Sequence, residues 1–320
     1  MSILRIACGP ADIGAGGYTW NTTETRVFDP TRVEGAFQIG EEEVLLMPHP
    51  APSGTEVWYH WRHAQRNAGS VLADGDFLHI QDENAFDLVR MEYVDSRIRM
   101  EVVGDTNENT GTQTLAAYTP YSFDLQVIVS ATITARWYIN GALYGEITVA
   151  NTGGKGVPRS ATWSYPINPY QDTYCSEIVI ADEDTRGLRI REMRPQSFGI
   201  FQEWDGSISA LRDDDLATGI STDVANRRVS FGVSNIENVQ PGDVINRVVA
   251  QTFAQKGETG LGTFNHFFRF RDGTVSDGAD QTLSVLGDYF LEEFPLNPDT
   301  GVAWTPADFS SLQTGLQSKT

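Results

Sequence analysis

The stretch Arg136-Trp137-Tyr138-Ile139-Asn140-Gly141-Ala142-Leu143-Tyr144-Gly145-Glu146 decides the first reading of this chain. Asn140-Gly141 lies between two strand-like runs. Both positions of a two-residue hairpin turn need positive φ, which Asn and Gly adopt at low cost. The stretch therefore reads as a strand, a tight turn and a returning strand. Upstream, Val44–Met47, Phe77–Ile80, Leu88–Met91, Ile98–Val102 and Leu125–Val129 are further short apolar or alternating runs, separated by Gly, Asn and Asp clusters. Downstream, Arg228–Val233, Val244–Val249 and His266–Phe270 resume the pattern. Short strands with turn punctuation and no long helical period predict an all-β chain built from β-sandwich, jelly-roll-like domains.

The pattern breaks at Arg194-Pro195-Gln196-Ser197, which predicts a first jelly-roll domain over residues 1–194 and a second sandwich over 195–320. One short helix is expected at the C-terminal end. Thr305, Pro306 and Asp308 make a start signal close to a capping box, and Phe309, Leu312 and Leu316 recur at helical spacing. Its expected place is over one end of the second sandwich.

Hydrophobic residues make up 40% and charged residues 21% of the 320, which is ordinary for a chain that folds and too apolar for a disordered one. Acidic residues outnumber basic ones 43 to 23, giving a net charge of −20. Such a surface repels phosphate backbones and anionic lipid, so neither nucleic acid nor membrane insertion is expected. No run approaches the about 20 apolar residues of a spanning helix. Met1–Cys8 has neither the basic n-region nor the apolar h-region of a signal peptide, so synthesis in a cytoplasm and exit by a non-secretory route are expected.

A search for chemistry finds no catalytic constellation and calls for no cofactor. Gly14-Ala15-Gly16-Gly17 lacks the following helix of a phosphate loop. A sandwich glycanase needs two carboxylates on one face, and the nearest string, Glu92 to Asp95, puts its acids on opposite sides of a strand. His60 and His63 have metal-ligand spacing only on a helix, whereas their surroundings read as strand or loop. The acid clusters Asp74-Gly75-Asp76, Asp182-Glu183-Asp184 and Asp213-Asp214-Asp215 are either calcium seats, with Asp182 and Asp184 the candidates, or solvated turns. Trp58, Tyr59, Trp61 and Arg62 invite a sugar-binding reading. Alternation turns Trp58 and His60 away from Tyr59 and Trp61, so at least one pair belongs to a core.

The Arg136–Glu146 hairpin, preceded by the strand Tyr121-Ser122-Phe123-Asp124-Leu125-Gln126-Val127, resembles the laminin-G/concanavalin-like jelly rolls. Ser176–Glu192 looks like the closing strands of such domains in virion proteins of tailed bacteriophages. Trp204-Asp205-Gly206-Ser207, Asp215–Ile220 and Asn297–Thr305 are similar to the downstream domain of those proteins. The resemblance implies a virion component of a phage or a phage-derived gene transfer agent. It would be assembled in the bacterial cytoplasm, homo-oligomeric within the particle, and in contact with other virion proteins. No heptads are present, so attachment through a partner is expected rather than a coiled coil of its own. A tail-fibre, tail-tip or head-spike appendage touching host surface polysaccharide is one role; a decoration protein without glycan ligand and a capsule depolymerase are the others. The resemblance also places Cys8 and Cys175 in neighbouring strands, as a disulfide formed after release or as two buried thiols.

Overall fold

Apolar side chains at every second residue bury one face of a strand and leave the other free, and this rule builds most of the structure. The computed structural model describes residues 2–13, 17–40, 43–66, 75–95, 97–164, 172–212, 215–233 and 243–320. Asp74, Asp213, Asp214 and Gly14–Gly16 of the motifs above lie outside the described residues. Two units are separated by contact, Met1–Ile190 and Arg191–Thr320.

The first unit opens with β1 (Ile3–Ala7), β2 (Thr19–Asn21), β3 (Ala36–Ile39), β4 (Val44–Pro48), β5 (Glu56–Gln65), β6 (Gly75–Asp82) and β7 (Asp87–Val94). It continues with β8 (Arg97–Val103), β9 (Asn107–Asn109), β10 (Tyr121–Val129), β11 (Thr132–Ile139), β12 (Ala142–Ala150), β13 (Pro158–Ser164) and β14 (Thr173–Ala181). One sheet runs β12-β11-β10-β5-β14-β3-β2, with β1 also paired to β14; the other runs β4-β13-β6-β7-β8-β9. The first and last strands thus lie side by side, with Ala7 opposite Ile178. The β11–β12 turn is the one the sequence announces: Asn140 has φ +49° and Gly141 φ +78°.

Tyr59, Trp61, Phe123, Leu125 and Trp137 on the larger sheet meet Phe77, Ile80, Met91, Met100 and Trp163 on the smaller one. Each such side chain contributes about 1.5–3 kcal/mol by leaving water. His63 also points inward. It stacks flat on Phe123 at 4.8 Å, reaches the Tyr93 hydroxyl through Nε2 at 3.3 Å, and burial pushes its pKa down to about 3, so it is neutral.

The second unit comprises β15 (Pro195–Gln202), β16 (Arg228–Val233), β17 (Val248–Ala254), β18 (Thr263–Arg269), β19 (Val275–Thr282), β20 (Asp288–Phe294) and β21 (Gln313–Ser318). Five strands form the sheet β15-β16-β21-β18-β19, and β17 with β20 makes a two-stranded ribbon. The ribbon packs on the sheet through Phe294 against Phe268, 4.7 Å apart, and Phe290 against Phe264, 5.1 Å apart.

The C-terminal helix is shorter than its apolar stripe. Asp308 accepts hydrogen bonds from the Thr305 backbone N–H at 2.6 Å and hydroxyl at 2.9 Å, so the start signal works, but the helix is a 3-10 turn over Pro306–Ser311. From Gln313 the chain becomes β21, hydrogen-bonded between β16 and β18, with Leu316 opposite Val229 and His266. A strand with partners on both edges satisfies its backbone fully, which outweighs the 3.6-residue period of three leucine and phenylalanine positions. Gly315 fits this role, since a Cβ there would collide with the Phe267 ring and the Val229 carbonyl.

Candidate functional site

On β5, Val57, Tyr59 and Trp61 face the core, so Glu56, Trp58, His60 and Arg62 lie on the outer face of the eight-stranded sheet. Register sets Trp58 beside Gln126 and His60 beside Asp124 on β10. Arg136 and Tyr138 of β11 follow in the same two rows, and Glu146 of β12 ends the first. The first row is hydrogen-bonded through its side chains. Gln126 Nε2 donates to Glu56 Oε1 at 2.7 Å, Arg136 Nη1 donates to Gln126 Oε1 at 2.9 Å, and Arg136 Nη2 donates to Glu146 Oε1 at 3.1 Å. The Trp58 indole N–H also donates to Glu56. Arg136 and Glu146 keep 32% and 44% of their side-chain surface exposed, so this end of the row meets solvent.

The second row is covered. The segment after β14, residues 182–190, crosses it as a strap. Thr185 donates its hydroxyl to Asp124 Oδ1 at 2.9 Å, the oxygen that also takes His60 Nδ1–H at 2.8 Å. His60 Nε2 and Asp124 Oδ2 are buried without a hydrogen-bond partner. Arg186 lies 4.6 Å over the Tyr138 ring and 5.5 Å over Trp58, and both its ends are gripped by Asp184. Arg189 clasps the buried Glu177 carboxylate at 2.9 and 3.0 Å and reaches Asp29 at 3.1 Å. Glu177 has φ +50°, at the point where β14 slips register against β5. That irregularity turns a carboxylate toward the strap, and burial demands the ion pair it makes there.

These placements correct several expectations. Tyr59 and Trp61 are core side chains, with no accessible ring face. Trp58 is on the outer face but only 3% exposed, stacked on Tyr138 and capped by Arg186, so it offers no open platform for a sugar ring. Arg62 is half-buried on the same face, donates weakly to the Pro120 carbonyl at 3.4 Å, and has its pKa lowered by burial and by Arg189. His60 and His63 point to opposite sides of β5 and share no ligand. Asp182 is occupied by the Ser2 N–H and the Ser53 hydroxyl, both at 2.7 Å, while Asp184 is taken by Arg186. The two calcium candidates do not converge, and among the described residues no group of three His, Cys, Asp or Glu side chains could hold a metal ion.

Cys8 and Cys175 are both buried, and no disulfide joins them. Cys175 belongs to the core between the sheets, whereas Cys8 packs with Val27, Phe28, Val33 and Tyr174 on the outer side. β1 and β14 are paired, with Cys8 one residue beyond β1 and Cys175 within β14, but the sheet stands between the two thiols. Asp124, Arg136, Glu146, Thr185 and Arg186 were not read from sequence as site residues. The available signal was Asp124 and Gln126 at alternate places in an otherwise apolar strand, in step with Trp58 and His60.

No family model matches this chain, and no curated protein does. Among solved structures it is similar to an endo-beta-1,4-glucuronan lyase from the fungus Trichoderma reesei, with 9% identity, a TM-score of 0.39, and coverage of 57% of this chain and 91% of that one. A protein described as cellulose induced gives 14% identity and a TM-score of 0.37, over 56% of this chain and 92% of that one. A sialidase gives 12% identity and a TM-score of 0.36 over 47% of this chain, which spans 15% of the sialidase's length. These likenesses are of sheet architecture and assign no ligand.

Proposed function

We propose that the chain is a virion appendage protein that binds a neutral polysaccharide of a host surface through the outer face of its first unit. The observation that carries the reading is the side-chain row Glu56–Gln126–Arg136–Glu146, hydrogen-bonded across four adjacent strands and open to solvent at its β12 end. Carboxylate, amide and guanidinium groups held rigidly on a sheet pair with vicinal hydroxyls without having to be ordered first. The net charge of −20 disfavours an acidic glycan. The virion assignment rests on the resemblance of Ser176–Glu192 and Asn297–Thr305 to phage virion proteins. Weak single sites multiplied over many copies supply avidity.

A second reading, a decoration protein with no glycan ligand, is favoured by two observations. The aromatic pair Trp58 and Tyr138 is capped, and an apolar turn, Val285–Leu286, stands out from the second unit with Leu286 88% exposed. Immunogold labelling of particles from a lysate of the encoding bacterium separates the readings. Label at tail tips or spikes supports the appendage; label spread over the head supports decoration; unlabelled particles contradict both.

A further inference from the structure

In the second unit a separate set of polar groups converges. Thr252 on β17 lies opposite Phe290, and Ala250 opposite Glu292, so Thr252 and Glu292 share one face of the ribbon two residues apart. His266 rises from β18 between them. Its Nε2 is 3.0 Å from Thr252 Oγ1, and its Nδ1 is 3.1 Å from Glu292 Oε2. The carboxylate has a prepared seat. The Ala279 N–H donates to Oε1 at 2.6 Å, and Gly278 leaves room where any Cβ would collide with both carboxylate oxygens. An ionised carboxylate only accepts, so Nδ1 carries the imidazole proton and Nε2 turns its lone pair to the threonine hydroxyl.

We propose that Thr252, His266 and Glu292 form an acyl-transfer centre for small neutral carboxylic esters such as O-acetyl groups. The order hydroxyl, Nε2, Nδ1, carboxylate is the one that activates a nucleophile, and it is fixed here from both layers. His266 is 2% exposed and keeps its proton traffic away from bulk water, while Thr252 retains partial exposure at the ribbon. Phe290 lies opposite Thr252 and packs against Phe264 at 5.1 Å, so the threonine hydroxyl is bordered by apolar side chains. In the first step Thr252 Oγ1 bonds to the ester carbonyl carbon, and its proton passes to His266 Nε2. The ester C–O bond breaks, and the leaving alcohol takes that proton. Water then attacks the acyl-threonine carbonyl, giving a proton to Nε2, which returns it to Thr252 as the carboxylic acid departs. Glu292 positions the imidazole and steadies its transient charge. This activity is independent of glycan binding by the first unit.

The test uses the full chain with p-nitrophenyl acetate, followed by digestion and peptide mass spectrometry. The expected result is nitrophenolate release with acetyl found on Thr252. Thr252→Val and His266→Gln should lower release by about 100-fold or more, while Thr252→Ser keeps both release and labelling at the position. Wild-type protein that acquires no acetyl at Thr252, or acetylates only lysine or tyrosine, overturns the proposal whether or not the variants fold. Unchanged release from folded Thr252→Val overturns it as well.

Discussion

His60 Nδ1 lies 2.8 Å from Asp124 Oδ1 across neighbouring strands, and neither side chain has any exposed surface. Thr185, from the strap, shares the same carboxylate oxygen. This junction divides the outer sheet face into a sealed part, with His60, Asp124 and Trp58, and an open part ending at Arg136 and Glu146. The sealed part adds buried pairing to the stability of the inter-sheet core, and the open part is the one that meets solvent.

Removing one member of that pair should cost far more than removing both. Asp124→Ala leaves the His60 N–H and the Thr185 hydroxyl without their acceptor, at about 3–5 kcal/mol. His60→Leu combined with Asp124→Leu removes most of the stranded polarity and should cost less than Asp124→Ala alone. Urea unfolding followed by tryptophan fluorescence reads both; costs that simply add would contradict the pairing.

The cysteines should remain thiols. Cys175 is fully buried, with its pKa pushed well above the usual thiol value by burial, and Cys8 lies on the opposite side of the sheet. In native protein neither should react with a thiol reagent, and unfolding without reductant should release two reactive thiols. Unfolded protein with none would show a disulfide and contradict the placement.

His49 makes stability depend on pH. Burial lowers its pKa from 6.5 to about 4 in the folded chain, so between those values the unfolded state binds more protons. Stability therefore falls as pH drops from about 6.5 to 4, at about 1.4 kcal/mol per pH unit. His49 contributes roughly 3 kcal/mol over that window. His63 acts in the same direction and extends the loss to about pH 3. Unfolding free energies across this range should show a shallower slope in His49→Gln; an unchanged slope would contradict the assignment.

Gly315→Ala distinguishes β21 from a helix by sign. In an exposed helix the change would stabilise by about 1 kcal/mol. In β21 the new Cβ meets the Phe267 ring and the Val229 carbonyl, and overpacking should cost about 1–3 kcal/mol. Calorimetry of the variant gives the answer.

Much of the fold was legible because it rests on local signals. Asn140-Gly141 specified its turn, and alternation in β5 correctly set Tyr59 and Trp61 apart from Trp58 and His60. The C-terminal strand was illegible because Phe309, Leu312 and Leu316 carry a helical period, while the partners that hold β21 lie about 50 and 90 residues away in sequence. The site was legible only by face. Alternation set Trp58 on the face opposite Tyr59 and Trp61 but did not say which face is outer; that Arg186 and Thr185 cover Trp58 depends on a strap whose path no local pattern encodes. Thr252, His266 and Glu292 come from three strands in two layers, and nothing in their sequence neighbourhoods links them.

The most direct test of the proposed function is an array of bacterial surface polysaccharides probed with the full chain and with the double variant Arg136→Ala, Glu146→Gln. Charged hydrogen bonds of this kind are worth about 1.5–3 kcal/mol, so their loss should weaken retention about tenfold or more. The account predicts that the wild-type chain is retained on at least one neutral polysaccharide and that the folded variant is not. Wild-type protein that binds none, or a variant retained equally well, would contradict glycan binding at this face.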